Sequence, residues 1–187
     1  LKRVIVAALL AAFAGSSGAA VSTQTRAPEP DTWAPLRFLL GTWDTTSSGQ
    51  PGTGAGQRHY RLVLRDRFIE ARNTVTYPPQ PKNPKGETHE DAGYFSYDRS
   101  RKAIVFRQFH GEGFVNTYVA SRVEPNEVAF TSEAIENIPS GWRARETFRV
   151  VSEAEVVEVF ELAEPGKEFT VYSETRMRRA APRGPRP

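Results

Sequence analysis

From residue 42 to residue 178 no helical period is sustained. What recurs is a run of 6 to 11 residues rich in Val, Ile, Phe, Tyr and Thr, bounded by Gly, Pro, Asn or Asp. The runs fall at 42–48, 57–64, 67–77, 91–98, 102–110, 114–123, 127–133, 144–151, 155–162 and 169–178, which predicts about ten strands. The connections carry turn chemistry, as in Asp98-Arg99-Ser100-Arg101, Gly111-Glu112-Gly113, Pro125-Asn126 and Glu164-Pro165-Gly166-Lys167. Strands joined this tightly pair as antiparallel neighbours, and a long meander loses its edges most simply by closing. The expected fold is therefore all-β, a closed antiparallel up-and-down barrel, with a two-sheet sandwich as the alternative. Ahead of it, Asp31 can cap a short helix running to Leu40, with Pro35 in its first turn and Gly41 at its end.

Alternation within the strands adds a functional point. In 67–77 one face carries Ile69, Ala71, Asn73, Val75 and Tyr77; in 102–110 one face carries Ile104, Phe106, Gln108 and His110. A core filled by side chains alone has no use for Asn, Gln and His among aromatics. A barrel that holds a ligand does, because apolar walls supply affinity while a few polar groups fix orientation. The competing reading places these polar residues at strand ends in water.

Composition narrows the classes. Leu1-Lys2-Arg3 followed by the apolar run 4–14 has the pattern of a secretory signal peptide, cleaved after Ala20. With no cysteine there is neither a lipidated N-terminus nor a disulfide. The expected organisation is a signal peptide at 1–20, a linker at 21–31, a barrel at 32–179 and a disordered tail at 180–187, in a protein exported to the periplasm or secreted, with no stable membrane anchor after cleavage. Lys2, Arg3 and five arginines of the last twelve residues account for seven of 25 basic residues. The body then carries 18 basic against 22 acidic residues, which argues against a nucleic-acid partner.

The three histidines, His59, His89 and His110, lie far apart and have no metal-ligand spacing, so no metal site is expected. His59 alternates onto the face opposite Tyr60, Leu62 and Leu64 and is read as exterior. His110 closes a strand at the Gly111 turn and can sit at a barrel mouth. His89 stands beside Glu90 and Asp91, either as an exposed charge cluster before a strand or as an acid–base group with a raised pKa. No nucleophile motif, dinucleotide loop or P-loop occurs, so enzymatic activity has little support. The expected partner is a small hydrophobic or amphipathic molecule, lipid-like or tetrapyrrole, bound by a monomer or homodimer. Trp43, Phe106, Phe109, Phe114, Tyr118 and Tyr172 are the candidate walls, and His110 a candidate contact. The proline-rich connection 78–87 is expected at the same end as His110, where it would shape access to the cavity.

Phe38-Leu39-Leu40-Gly41-Thr42-Trp43 with the glycines of 49–56, His89-Glu90-Asp91-Ala92-Gly93-Tyr94-Phe95, and 107–116 together resemble the nitrobindin-like family over about residues 36–179. That resemblance implies a ten-stranded barrel akin to fatty-acid-binding proteins. In nitrobindins proper it also implies ferric haem held by a histidine of the last strand. Here the last strand has no histidine, and Tyr172 stands at the corresponding position. Tyrosinate can ligate ferric haem. Haem is thus a possible cofactor under the resemblance, with none certain, and the matching alternative function is a haem-dependent isomerase or scavenger of reactive nitrogen species.

Overall fold

The computed structural model describes residues 31–181. The expected signal segment, all of the linker except Asp31, and the tail from residue 182 lie outside the described residues. Within them, a 3-10 helix at Ala34–Leu39 precedes ten strands. These are β1 Gly41–Gly49, β2 Gly52–Val63, β3 Phe68–Tyr77, β4 Glu87–Asp98, β5 Ala103–His110, β6 Val115–Glu124, β7 Glu127–Glu136, β8 Arg143–Ser152, β9 Glu155–Ala163 and β10 Thr170–Arg179. Each strand pairs antiparallel with its neighbour in sequence, and β10 returns to β1, so the sheet is a closed barrel and the sandwich is excluded.

Two boundaries differ from the sequence reading, and both matter. The expected turn at 49–56 shrinks to Gln50 and Pro51, because β2 already begins at Gly52. Its glycines serve close approach: a Cβ on Gly56 would stand 1.9 Å from the carbonyl oxygen of Thr74. β4 starts at Glu87 rather than Asp91. His89 therefore belongs to a strand and is not an exposed charge before one.

The barrel has two unlike ends. At the lower end the 3-10 helix closes the floor, held by Trp33 Nε1 donating to the Asp66 carbonyl at 2.9 Å, while Leu36 and Leu39 are fully buried. Above them Trp43, Tyr60, Ile69, Phe95, Phe106, Phe130, Phe148 and Met177 form a continuous apolar core. Phe95 stacks on Phe106 with ring centres 4.0 Å apart. Gly93 makes room for this stack, since a Cβ there would lie 2.6 Å from Phe106 Cε2. The five connections after odd-numbered strands all gather at the upper end, as an up-and-down meander requires. Loop 78–86 and His110 therefore share that end. The outer surface carries cross-strand ion pairs such as Arg101–Glu133 and Arg107–Glu136, both at 2.8 Å.

Candidate functional site

The upper half of the barrel holds a cavity of about 600 Å³, within the usual size of small-ligand sites. Its rim is largely apolar, with Phe114, Ile135, Ile138, Trp142, Phe160 and Leu162. Its floor is polar, and strand register builds it. Arg58 faces Asn73 across β2 and β3, Asn73 faces Asp91 across β3 and β4, and Asp91 faces His110 across β4 and β5. One rung below, Gln108 faces Asn116.

These neighbours are wired together. Arg58 pairs with Glu158 at 2.5 Å, with both side chains buried. Arg58 Nε donates to Asn73 Oδ1 at 3.2 Å, and Asn73 Nδ2 donates to Asp91 Oδ2 at 2.8 Å. Gln108 Nε2 donates to the other Asp91 oxygen at 3.0 Å. Burial pushes the Asp91 carboxyl up, but the hydrogen bond from His89, the charge of Arg58 and the two amide donors outweigh it and hold its pKa below the ordinary value. Asn116 Nδ2 donates to the Tyr118 hydroxyl at 2.7 Å. Glu146, buried beside this network, is pushed well above the usual carboxylate range by burial and then by the charge of Glu158.

At the side of the cavity, extending the β4–β5 register by two residues sets His89 opposite Glu112, and His89 Nδ1 lies 2.7 Å from Glu112 Oε1. His89 Nε2 lies 3.4 Å from Asp91 Oδ2. Asp91 first, and Glu112 with it, push the His89 pKa up to about 9 against the effect of burial. His110, diagonal to it, shows the opposite shift: burial, with the charge of His89 adding, pushes its pKa down to about 4. Its ring stacks on Phe114, with centres 4.0 Å apart.

Residues 32–179 match the family described as the THAP4-like, heme-binding beta-barrel domain. The chain belongs to that family. Among solved structures it is similar to Rv2717c from M. tuberculosis, with a TM-score of 0.61 and 14% identity over 80% of this chain and 98% of that one. A redesigned β-barrel, mFAP0, bound to DFHBI, superposes more loosely, with a TM-score of 0.44 and 10% identity over 76% of this chain and all of that one. No curated protein sequence matches the chain.

The family description names haem, and the donor set of this cavity can be tested against it. β10 offers Tyr172, which enters the cavity because it is the bulged residue between Val171 and Ser173. Burial, with Glu87, Tyr77 and Glu112 adding, raises the Tyr172 pKa above its ordinary value. No cation stands among these influences, so no protein charge supports a tyrosinate there. His110 is neutral, but its Nδ1 lies 3.4 Å from His89 Nε2 and its Nε2 lies 3.2 Å from Asn116 Nδ2. Both His110 nitrogens are therefore already faced by polar side chains that an axial ligand would have to leave. The residues present do not fit an axially ligated haem.

The candidate residues read from sequence divide between the two halves. His110, Phe114 and Tyr172 line the cavity. Trp43, Phe106 and Tyr118 do not: Trp43 is buried in the lower core with its Nε1 donating to the Leu39 carbonyl, Phe106 lies in the aromatic stack, and Tyr118 is closed off beneath Asn116. Phe109 points outward, 44% exposed, with Arg107 over its ring, because it alternates with Gln108 and His110. His59 is exposed and bonds Thr42. The connection expected at 78–87 reaches its expected end and folds onto the β1–β2 hairpin, where Gln80 Oε1 accepts from Thr53 N at 2.7 Å; of its residues Glu87, which begins β4, lines the cavity. Arg58, Asn116, Trp142, Glu146 and Glu158 were not singled out from sequence, and Asp91 was read only as a carboxylate beside His89, whereas it is buried in β4.

Proposed function

We propose that the protein is a binding barrel for an amphipathic small molecule with an apolar body and a cationic or hydrogen-bond-donating polar end. The carrying observation is the division of one cavity into an apolar rim and a polar floor whose acidic side chains outnumber its basic ones. Three buried side-chain oxygens, Thr45 Oγ1, Gln108 Oε1 and Asn116 Oδ1, have no hydrogen-bond partner, and buried polar atoms of this kind are ordinarily satisfied. The composition of the lining leans the same way, with the carboxyl side chains of Glu87, Asp91, Glu112, Glu146 and Glu158 against Arg58, His89 and His110. An anionic end would meet this field unfavourably.

Haem remains the reading favoured by family membership, and one experiment separates the two. Trp142 stands at the rim while Trp33 and Trp43 lie in the core, so Trp142 emission reports on the cavity. Titration with dodecylamine is expected to quench it saturably, with at least about tenfold higher affinity than dodecanoate, and Trp142→Phe removes the signal. Tenfold corresponds to about 1.4 kcal/mol, a modest demand on a charged contact. Preference for dodecanoate, or a stoichiometric Soret shift on adding haemin, refutes the proposal. Export rests on the N-terminal run 1–20, and N-terminal sequencing of periplasmic protein tests it: a start between Gly15 and Thr25 supports it and an intact Leu1 opposes it.

A further inference from the structure

Going beyond the organic ligand, we propose that His89, His110 and the Glu112 carboxylate form a site for a divalent cation of the zinc class in the wall of the cavity. Each of the three offers one ligand atom, and these atoms lie within 4.8 Å of one another. Two imidazoles and a carboxylate are the donor set of an open zinc site, whose fourth position is left to water or to a bound molecule. All three residues line the cavity, so that fourth position faces it.

The surroundings are those a metal site needs. Ligating histidines are oriented by a carboxylate or carbonyl on the ring nitrogen turned away from the ion. Asp91 Oδ2 stands 3.4 Å from His89 Nε2, on the far side from Glu112, and is itself fixed by Asn73 and Gln108. His89 Nδ1 then faces Glu112 Oε1 at 2.7 Å, while its Nε2 also lies 3.4 Å from His110 Nδ1. His110 has the same support from Asn116, which is buried, lies 3.2 Å from His110 Nε2, and has an amide oxygen without a partner. Turning that amide gives up the Nδ2 bond to the Tyr118 hydroxyl and lets the oxygen accept from Nε2–H, which leaves Nδ1 for the ion. Glu112 lies in a turn with its side chain 51% exposed, so it can close onto an ion while the buried partners stay in place.

The test uses the untagged full chain, stripped with a chelator and titrated with Co²⁺ and with Zn²⁺. A one-to-one isotherm and the visible absorption of low-coordinate Co²⁺ are expected. His110→Ala and Glu112→Gln should each weaken binding by at least about tenfold, with unchanged thermal unfolding of the metal-free proteins, and His59→Ala should leave binding intact. Absence of saturable binding by the wild-type chain overturns the proposal, and so does binding that survives either substitution. Dodecylamine titrations of the metal-free protein are read separately, so failure of one reading does not carry the other with it.

Discussion

The lower and upper halves of this barrel are made by the same ten strands, yet one half is solid and the other hollow. Moving two or four residues along each strand, on the same inward face, exchanges one kind of interior for the other. Tyr60 gives way to Arg58 on β2, Ala71 to Asn73 on β3, Phe95 to Asp91 on β4, and Phe106 to Gln108 on β5. Tyr118 gives way to Asn116 on β6, Phe148 to Glu146 on β8, and Val156 to Glu158 on β9. Closure is a property of the backbone; the cavity follows from which inward positions are apolar and large enough to meet at the axis. Where they are polar they bond sideways to the next strand, and the axis stays open.

The comparison is broken most severely from below. Phe95→Ala removes a fully buried ring from the aromatic stack and is expected to lose about 3–5 kcal/mol of stability in urea unfolding. A loss below about 1 kcal/mol would mean that the lower half is not the close-packed core described. At the boundary, Glu158→Gln leaves Arg58 without its carboxylate in a buried site, and a loss of about 3 kcal/mol is expected by the same measurement. A neutral result would show that the pair is solvated from the cavity.

Glu146→Gln should act in the opposite direction. The folded-state pKa of Glu146 is raised. Below the ordinary carboxylate value of about 4.5 both states are protonated and there is no penalty, but as pH rises past it the unfolded chain releases a proton that the folded chain retains. The wild type therefore loses stability relative to the variant with rising pH. The substitution should be near neutral at pH 4 and stabilising by about 1 kcal/mol at pH 8. A variant less stable than wild type at pH 8 would assign an ionised carboxylate to that position. Smallest in stability is Phe114→Ala at the rim, expected within about 1 kcal/mol of wild type while dodecylamine binding weakens about tenfold. Unchanged binding would move the ligand away from the rim.

The fold was legible because turn residues and β-branched runs repeat along the whole chain, so that ten strands are counted from sequence and their neighbours follow. Glycines misled it locally: 49–56 reads as a turn, but Gly54 and Gly56 lie within β2 and lack side chains because Tyr77 and Thr74 of β3 come too close for a Cβ. The site was half legible. Gln108 and His110 show on the inward face of a clearly alternating strand. Arg58, Glu146 and Glu158 carry the same signal, each lying two residues from an apolar residue of inward parity, yet a charge reads first as surface. His89 was read beside Glu90 and Asp91 as either an exposed charge cluster or a group with a raised pKa, and its strand and its partner Glu112 stayed hidden for a different reason. Its strand begins four residues earlier than the apolar run does, and its partner Glu112 is joined to it by register across β4 and β5 rather than by sequence spacing.

The most direct measurement of the central claim is calorimetric titration of the full chain with dodecylamine at several temperatures. A single-site isotherm with one ligand per chain and a negative heat-capacity change is expected, because apolar surface is removed from water at the rim. No saturable heat, or tighter binding of haemin than of the amine under the same conditions, would contradict the account of the upper half as a cavity for a donor-bearing amphiphile.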